Sequence, residues 1–209
     1  MITNFHTHTT FCDGKSTPEE VVLSAINLGF STIGFSGHGY TPFDLRYCMK
    51  DTDGYLSELA RLREKYRGRI RILSGIEEDA FAPVDRSRFD YVIGSVHELP
   101  VASGGTRSVD ADPETTAAYL SECYGGDADA AAEAFFAEYD KVADKPEAAI
   151  VGHFDLLTKF DETHHFFDEN SLRYRRAACA AMEGLVKAGK IFEVNTGAIS
   201  RGYRTTPYP

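Results

Sequence analysis

The sequence contains few cysteines, and they are widely scattered. Cys12, Cys48, Cys123 and Cys179 are the only four in 209 residues, and no two form a CxxC pair. This spacing argues against a zinc knuckle and against a dense disulfide framework. We therefore expect four reduced thiols.

Positive charge is also scarce, and long apolar runs are absent. The chain has 22 Lys and Arg residues against 32 Asp and Glu residues, which gives a formal net charge of −10 at pH 7. This balance argues against nucleic-acid binding by a basic surface. No apolar run approaches the length of a membrane span, and the N-terminal residues show no signal-peptide pattern. We expect a cytosolic protein without a nucleic-acid or membrane partner.

No linker rich in Pro or Ser and no block of charge divides the chain. The contents of 43% hydrophobic and 26% charged residues are ordinary for a globular protein. We expect one domain over residues 1–209. The sequence also has no GxGxxG motif after the first predicted strand and no Walker loop, so nothing in it supports a nucleotide cofactor.

Three potential metal ligands lie in residues 4–14, directly after a short apolar run. If residues 1–5 form a strand, its period of two places His6 and His8 on one face at the C-terminal end. Asp13 follows in a loop, where Gly14 allows a tight turn that returns the carboxylate toward the same place. The pattern is typical of a metal site, but two histidines at this spacing are equally compatible with exposed side chains at a strand end.

The rest of the chain alternates between helical and strand-like patterns. Thr17 and Glu20 predict a capping box, with Pro18 at the first helical position and Gly29 as the stop. The apolar face of this helix is predicted to include Val22, Ala25 and Leu28. Apolar periodicity predicts further helices over 53–66, 127–142 and 171–188. The second of these is expected to contribute Phe135, Phe136 and Tyr139 to the core, and the third has Met182 and Val186 on its predicted inner face. Strands are predicted over 31–36, 70–76, 89–97, 148–152 and 191–194, whereas 99–126 is expected to be rich in loops.

Side chains with ligand chemistry occur at the ends of successive predicted strands. They are His38, Glu77, His97, His153 and, in the last strand, Glu193. Strands that alternate with helices indicate a parallel sheet. Functional residues at so many strand ends favour a barrel, because an open sheet would collect them only near its switch point.

Nitrogen and oxygen donors dominate this set, which suits zinc, manganese or iron better than a thiolate site would. The candidate ligands are His6, His8, Asp13, His38, Glu77, His97 and His153. Clustered divalent ions lower the pKa of water from about 15.7 toward about 7 and clamp the oxygens of a phosphate ester. Arginines attract phosphate. Three of them, Arg46, Arg201 and Arg204, lie in loops that we expect at the same end of the barrel as these ligands. We expect His164 and His165 to be solvated loop residues.

As a set, these motifs resemble the polymerase and histidinol phosphatase (PHP) superfamily, and most closely its histidinol-phosphatase branch. The matching segments are 6–14, 36–38, 75–79, 94–97, 152–156 and 193–197, in order along nearly the whole chain. The resemblance implies an α/β fold, a distorted (β/α)7 TIM-like barrel of the PHP type. It also implies hydrolysis of a small phosphorylated substrate, typically L-histidinol phosphate to L-histidinol and phosphate in histidine biosynthesis.

The resemblance further implies roles for individual residues around two or three divalent ions (Zn, Mn or Fe). His6, His8 and Glu77 would hold one ion. A second would be held by Glu77, His97 and His153, and a third by Asp13 and His38. Arg201 would grip the phosphate, Glu193 would face the substrate or a water, and Arg46 is a further candidate for substrate binding. Catalysis would depend on Glu77, His153 and Arg201. The sequence does not indicate an oligomeric state.

The sequence departs from the family pattern at its C-terminus. The pattern continues after a Tyr-Pro element, which Tyr208-Pro209 resembles, to a seventh strand with an Asp-x-His pair that completes two metal shells. The expectation is a C-terminally truncated barrel without its last strand and with weak or no turnover. The alternatives are a related phosphoesterase for another phosphomonoester or a nucleotide, and an inactive metal-binding domain.

Overall fold

The computed structural model describes residues 2–102 and 104–208, which form helices and mostly parallel strands. Met1, predicted as the first strand residue, lies outside the described residues, as do Ser103 and Pro209 of the predicted loop and Tyr-Pro element. The chain divides into two compact units, the first ending at Ile93 and the second beginning at Gly94.

Parallel strands form the centre of the first unit. The strands are β1 (Ile2–Asn4), β2 (Phe30–Phe35), β3 (Arg71–Asp79) and the start of β4 (Tyr91–Ser95), in the order β1-β2-β3-β4. β2 pairs in parallel with both β1 and β3. The helices are α1 (Pro18–Asn27) and α2 (Thr52–Lys65), with a 3-10 turn at Arg86–Arg88. β3 is longer than predicted, so Glu77 lies inside the strand.

The first helix begins where the sequence predicted. The Thr17 side chain accepts from the Glu20 N–H at 3.3 Å, and the Thr17 N–H donates to Oε2 of Glu20 at 2.8 Å. This reciprocal pair satisfies two backbone donors that a helix start leaves without a partner. Val22 and Ala25 are buried as predicted, but Leu28 is 67% exposed because the helix has already ended at Asn27.

Two glycines in the first unit make room for one tyrosine. A Cβ atom at Gly34 would lie 2.4 Å from the Tyr91 hydroxyl, and one at Gly75 would lie 2.2 Å from Cζ of the same ring. The Tyr91 hydroxyl donates to the Phe5 carbonyl. The tyrosine therefore fixes the backbone immediately before His6.

The second unit contains shorter strands and most of the helices. β5 (Glu98–Pro100) and β6 (Thr106–Ser108) pair antiparallel, and β7 (Ile150–Val151) pairs in parallel with β8 (Ile191–Phe192). The Gly152 N–H donates to the Gly94 carbonyl at 3.0 Å. The helices are α3 (Pro113–Tyr124), α4 (Ala128–Ala137), α5 (Tyr139–Ala143), α6 (Asp161–His164), α7 (Leu172–Lys187) and α8 (Gly197–Ser200), with a 3-10 helix at Leu156–Phe160.

Aromatic side chains form the core of the second unit. Phe136 lies 5.2 Å from Phe154 and 5.3 Å from Tyr174 between ring centres, and Tyr139 lies 4.9 Å from Phe154. Phe135, Phe136 and Tyr139 are each at most 1% exposed. The prediction that these three side chains belong to the core is confirmed.

Three secondary-structure predictions are wrong in this unit. Residues 99–126 contain the β5-β6 hairpin and α3 as well as loops, and α3 begins with Asp112 accepting from the Thr115 N–H at 2.6 Å. The predicted helix over 127–142 divides at Glu138 into α4 and α5. In α7 the predicted inner face includes Met182 and Val186, which are 37% and 60% exposed.

Two further observations concern membranes and thiols. Among the helices in residues 2–102 and 104–208, none has the length and apolar character needed to cross a membrane. All four cysteines are free thiols, as predicted from their spacing.

Candidate metal centre

Three imidazoles surround one carboxylate oxygen in the first unit. Oε2 of Glu77 lies 3.2 Å from Nε2 of His6 and 3.3 Å from Nε2 of His8. The third nitrogen, Nδ1 of His38, lies 3.0 Å from the same oxygen. The Glu77 side chain is fully buried, and the three imidazoles are 9–16% exposed. The fold thus brings together four of the predicted metal ligands.

A second group of donors shares His8 with the first. Nδ1 of His8 lies 3.0 Å from Oδ1 of Asp13, and Nε2 of His38 lies 3.9 Å from Oδ2 of Asp13. The ligand atoms of His8, Asp13 and His38 all lie within 4.8 Å of one another, as do those of His6, His8 and Glu77. His8 therefore stands between two candidate positions, whereas the family resemblance assigned it to one.

The loop that carries Asp13 depends on a close backbone approach. The N–H groups of Cys12 and Gly14 both donate to the Thr9 carbonyl, at 2.9 and 3.1 Å. A Cβ atom at Gly14 would lie 2.4 Å from the Thr9 nitrogen. The small residue is required because this turn has no room for a side chain, and the turn presents Asp13 to His8.

Backbone pairing holds His38 against Glu77. The Glu77 N–H donates to the Gly37 carbonyl at 3.1 Å, and the Gly39 N–H donates to the Glu77 carbonyl at 2.8 Å. The His38 carbonyl accepts from the Met49 N–H at 3.0 Å. Because backbone bonds flank the histidine on both sides, its imidazole needs little reorganisation to act as a ligand.

Electrostatics favour a proton or another cation in this cluster. Burial is the largest single influence on the pKa of His8 and lowers it, but hydrogen bonds to Asp13, Cys12 and Glu77 raise it well above its ordinary value. Burial raises the pKa of Asp13, yet the hydrogen bond and charge of His8 and the charge of His38 hold it well below its usual range. A divalent ion can replace such a proton between nitrogen and oxygen donors.

Two more predicted ligands meet in the second unit. The rings of His97 and His153 are 4.9 Å apart between centres, and the two residues are 6% and 7% exposed. The His153 backbone has φ = 21°, which is rare for a residue other than glycine. Its N–H donates to Oε1 of Glu193 at 2.8 Å, and Nδ2 of Asn195 donates to the same oxygen at 2.8 Å. Glu193 thereby stabilises the strained backbone that orients His153.

Sequence reasoning missed a lysine and aspartate pair in this unit. Nζ of Lys159 donates to the Asp110 carbonyl at 2.6 Å and to Oδ2 of Asp110 at 2.9 Å. Burial raises the pKa of Asp110, but the charges of Lys159 and His97 outweigh this effect and lower the pKa to about 2. The pair is separated widely in the sequence and matches no short motif, so no signal in the sequence could have identified it.

The three candidate arginines have different surroundings. Arg46 is 86% exposed at its side chain and forms a bidentate ion pair with Asp44, with Nη2 at 2.6 Å. Arg204 is 8% exposed at its side chain, donates to the Thr158 carbonyl at 2.7 Å and lies over the Tyr208 ring. Arg201 is exposed, and its guanidinium has no ion pair among the described residues. Arg204 is therefore held by the fold, whereas Arg201 is accessible to a ligand.

The histidines predicted to lie outside the site are exposed. His164 ends α6, and His165 follows it with φ = 54°. Both side chains are accessible to solvent. They serve as an internal contrast to the five half-buried or buried histidines of the two clusters.

The donor set of the first unit fits a divalent ion. Imidazole nitrogen and carboxylate oxygen are the ligands that zinc, manganese and iron accept, and no thiolate is needed. Three imidazoles around a buried carboxylate oxygen form a costly arrangement unless a proton or a metal ion offsets the desolvation.

A family model described as PHP domain matches residues 4–197. Among curated proteins, the chain is 27% identical over 230 residues to one named probable histidinol-phosphatase from Schizosaccharomyces pombe, covering 98% of this chain and 72% of that protein. It is 26% identical over 225 residues to the histidinol-phosphatase of Bacillus subtilis, covering 95% of this chain and 81% of that protein.

The solved structures that are similar to this one include two histidinol phosphatases at 22% sequence identity each. A protein from Listeria monocytogenes assigned as the histidinol phosphatase hisK superposes with a TM-score of 0.85, covering 100% of this chain and 87% of that one. Histidinol phosphate phosphatase from Lactococcus lactis, solved with zinc, L-histidinol and phosphate, gives a TM-score of 0.70, covering 93% and 73%. These likenesses establish the fold, and the predicted α/β fold class is confirmed.

Proposed function

The chain belongs to the PHP domain family, as its motifs predicted, and from this premise we propose that it hydrolyses a small phosphomonoester with the help of divalent metal ions. The proposed substrate is L-histidinol phosphate, which would yield L-histidinol and phosphate in histidine biosynthesis. Support comes from the histidinol-phosphatases that are similar to almost the whole chain. The family and the donor set support the reaction type, whereas the identity of the leaving group is inferred from these relatives alone.

The observation that carries this proposal is the position of Glu77. Its buried Oε2 lies within 3.3 Å of imidazole nitrogens from His6, His8 and His38. Because a carboxylate has more than one lone pair, it can bridge two ions, as phosphoesterases with clustered metals require. A structural hydrogen bond needs one imidazole at this oxygen, whereas a metal site uses several imidazoles and a carboxylate as ligands.

We propose two or three bound ions, with zinc, manganese and iron as candidates. His6, His8 and Glu77 would hold one, and Asp13 and His38, with His8 beside them, would hold another. His97 and His153 are proposed as ligands of a further ion. When bound, such ions lower the pKa of water from about 15.7 toward about 7 and neutralise charge on phosphate oxygens.

The remaining residues would position the substrate. Arg201 is proposed to bind the phosphate, since its exposed guanidinium can donate two parallel hydrogen bonds to phosphate oxygens. Glu193 holds the His153 backbone and is proposed to face the substrate. Arg46 is also proposed to bind the substrate, for which it would first have to leave its ion pair with Asp44. We propose a cytosolic location and no nucleic-acid or membrane partner, in keeping with the acidic composition.

A substrate panel tests this proposal. Phosphate release should be measured for the chain loaded with zinc, manganese or iron, using L-histidinol phosphate and a set of nucleoside monophosphates. We expect slow release, with a preference for L-histidinol phosphate over the nucleotides. Preference for a nucleotide would show a related phosphoesterase with another substrate, and tight metal binding without release from any ester would show a metal-binding domain without this activity.

A further inference from the structure

Basic residues alternate along one short segment of this acidic chain. Six of the 22 Lys and Arg residues occupy every second position of residues 61–71. They span the end of α2, the turn after it and the first residue of β3. The chain as a whole has a formal net charge of −10, so this segment differs from the rest of the chain. Its positive side chains can attract anions.

Carboxylates neutralise four of these six side chains. The ion pairs are Arg61 with Glu19 and Glu58, Lys65 with Glu19, Arg63 with Asp90, and Arg67 with Glu64. For Arg69 and Arg71, no carboxylate partner occurs within the part of the chain that the structure describes. Two positive charges therefore remain available to a ligand from outside.

Both of these arginines line a cavity of about 700 Å³. Arg63, Arg67 and Leu73 also line it, and its two carboxylates, Glu64 and Asp90, are those already paired with Arg67 and Arg63. The volume lies within the range of about 300–1,000 Å³ that small-molecule sites occupy. We name it the Arg69 cavity.

The Arg69 cavity is separate from the metal cluster of the same unit. Arg71 begins β3, and Glu77 lies six residues further along the same strand. At about 3.3 Å per residue the two positions are about 20 Å apart. A ligand at one end of β3 therefore does not occupy the candidate metal centre at the other.

Ordered elements carry both arginines. Arg71 pairs with Thr32 in the parallel register of β2 and β3. The guanidinium carbon of Arg69 lies 5.7 Å from the centre of the Tyr66 ring, and the Tyr66 hydroxyl donates to Oε1 of Glu19 at 2.6 Å. Stacking on an anchored ring limits the conformations of Arg69, so less entropy is lost when it binds a ligand.

We propose that the Arg69 cavity binds a small polyanion of the diphosphate class. Each guanidinium can bind one phosphate group through two parallel hydrogen bonds, so two of them match a ligand with two linked anionic groups. A long polyanion such as nucleic acid fits less well, because the acidic remainder of the chain would repel it.

Calorimetric titration with inorganic pyrophosphate tests the proposal. The chain should first be stripped of metal with EDTA and the chelator removed, so that pyrophosphate cannot bind through an ion. The test variant is R69Q/R71Q. The matched control is R175Q/R176Q, which removes the same charge from two exposed positions of α7. We expect pyrophosphate to bind the native chain more tightly than phosphate does, with at least about tenfold weaker binding in R69Q/R71Q and an unchanged affinity in the control.

Other outcomes would overturn the proposal. An equal loss of pyrophosphate affinity in both double variants would show that overall charge attracts the ligand. If the native chain binds pyrophosphate no more tightly than phosphate, the proposed preference for a diphosphate is wrong. An isotope-labelled sample of the native chain gives a second measurement, by NMR, that needs no variant. Pyrophosphate should shift the amide signals of Gly68 and Arg69. E77Q should bind pyrophosphate as the native chain does, so this result is independent of the phosphatase proposal.

Discussion

Nδ1 of His38 lies 3.0 Å from Oε2 of Glu77, and a parallel backbone bridge joins the same two residues. The bridge forms because the N–H of Glu77 donates to Gly37 and the carbonyl of Glu77 accepts from Gly39. The backbone therefore places imidazole and carboxylate together in advance of any ligand. Preorganisation of this kind is what a metal site needs for affinity.

Replacing Glu77 by Gln should remove metal affinity from the first unit. The amide keeps the size of the side chain but loses the negative charge that three imidazoles surround, so we expect affinity for zinc to fall at least about 100-fold. E183Q is the control, since Glu183 lies on α7 with a side chain that is 72% exposed. Metal analysis after dialysis measures the zinc content of both variants. Equal zinc content in E77Q and the control would contradict the assignment.

Metal binding should release protons and should strengthen as pH rises. In the absence of metal the pKa of His8 is raised well above its ordinary value, so the imidazole holds a proton near neutral pH that a metal must displace. The raised pKa also means that His8 stabilises the metal-free fold below its unfolded pKa, of about 6.5, and loses this effect as pH rises through the raised value. Zinc titration calorimetry in buffers of different ionisation enthalpy measures the released protons, and a value of zero at pH 6.5 would refute this prediction.

Adding a methyl group at Gly75 should disturb the strand that precedes His6. The new Cβ would lie 2.2 Å from the Tyr91 ring, whose hydroxyl holds the Phe5 carbonyl. We expect G75A to lower the free energy of unfolding by about 1–3 kcal/mol, the usual cost of overpacking. The matched change is G184A in α7, where, apart from the adjacent residues and the backbone of the helix itself, no atom of the described residues lies within 4 Å of the new Cβ.

The control should change stability in the opposite direction. Alanine is favoured over glycine inside a helix by about 1 kcal/mol, so G184A should raise the free energy of unfolding. Chemical denaturation monitored by circular dichroism compares the two variants. If G75A is as stable as the native chain, the close packing of Tyr91 against the glycines is wrong.

Removing the lysine of the Asp110 pair should destabilise the second unit. K159M leaves the Asp110 carboxylate without its ammonium partner, which we expect to cost about 3 kcal/mol of unfolding free energy. The double variant D110N/K159M should recover part of this loss, because it no longer contains an unpaired charge. A double-mutant cycle by denaturant unfolding measures the coupling, and additive effects of the single changes would show that the pair contributes nothing.

Local signals explain which parts of the fold were predictable. The capping box of Thr17 and Glu20 involves neighbours in the sequence, and it forms as expected. The donors in residues 4–14 and at the ends of β2 and β3 were recognisable because parallel strands direct their C-terminal ends to one edge. The backbone geometry then brings His6, His8 and His38 to Glu77.

The features that were missed depend on contacts distant in sequence or on weaker local signals. Helix α3 begins at Asp112 and Pro113, a recognisable start that its loop-rich surroundings obscured. The pairing of Lys159 with Asp110 has no local signature. Helical periodicity placed Met182 and Val186 on the inner face of α7, but periodicity does not show how wide the buried stripe is, and both side chains are exposed.

One measurement tests the proposed metal-dependent phosphatase activity most directly. Phosphate release from L-histidinol phosphate is measured for the chain after it has been stripped of metal, and again after it has been reloaded with zinc. We expect no release by the stripped chain, recovery on reloading for the native protein and for E183Q, and no recovery for E77Q. Release by the stripped chain, or by reloaded E77Q at the native rate, would contradict this proposal.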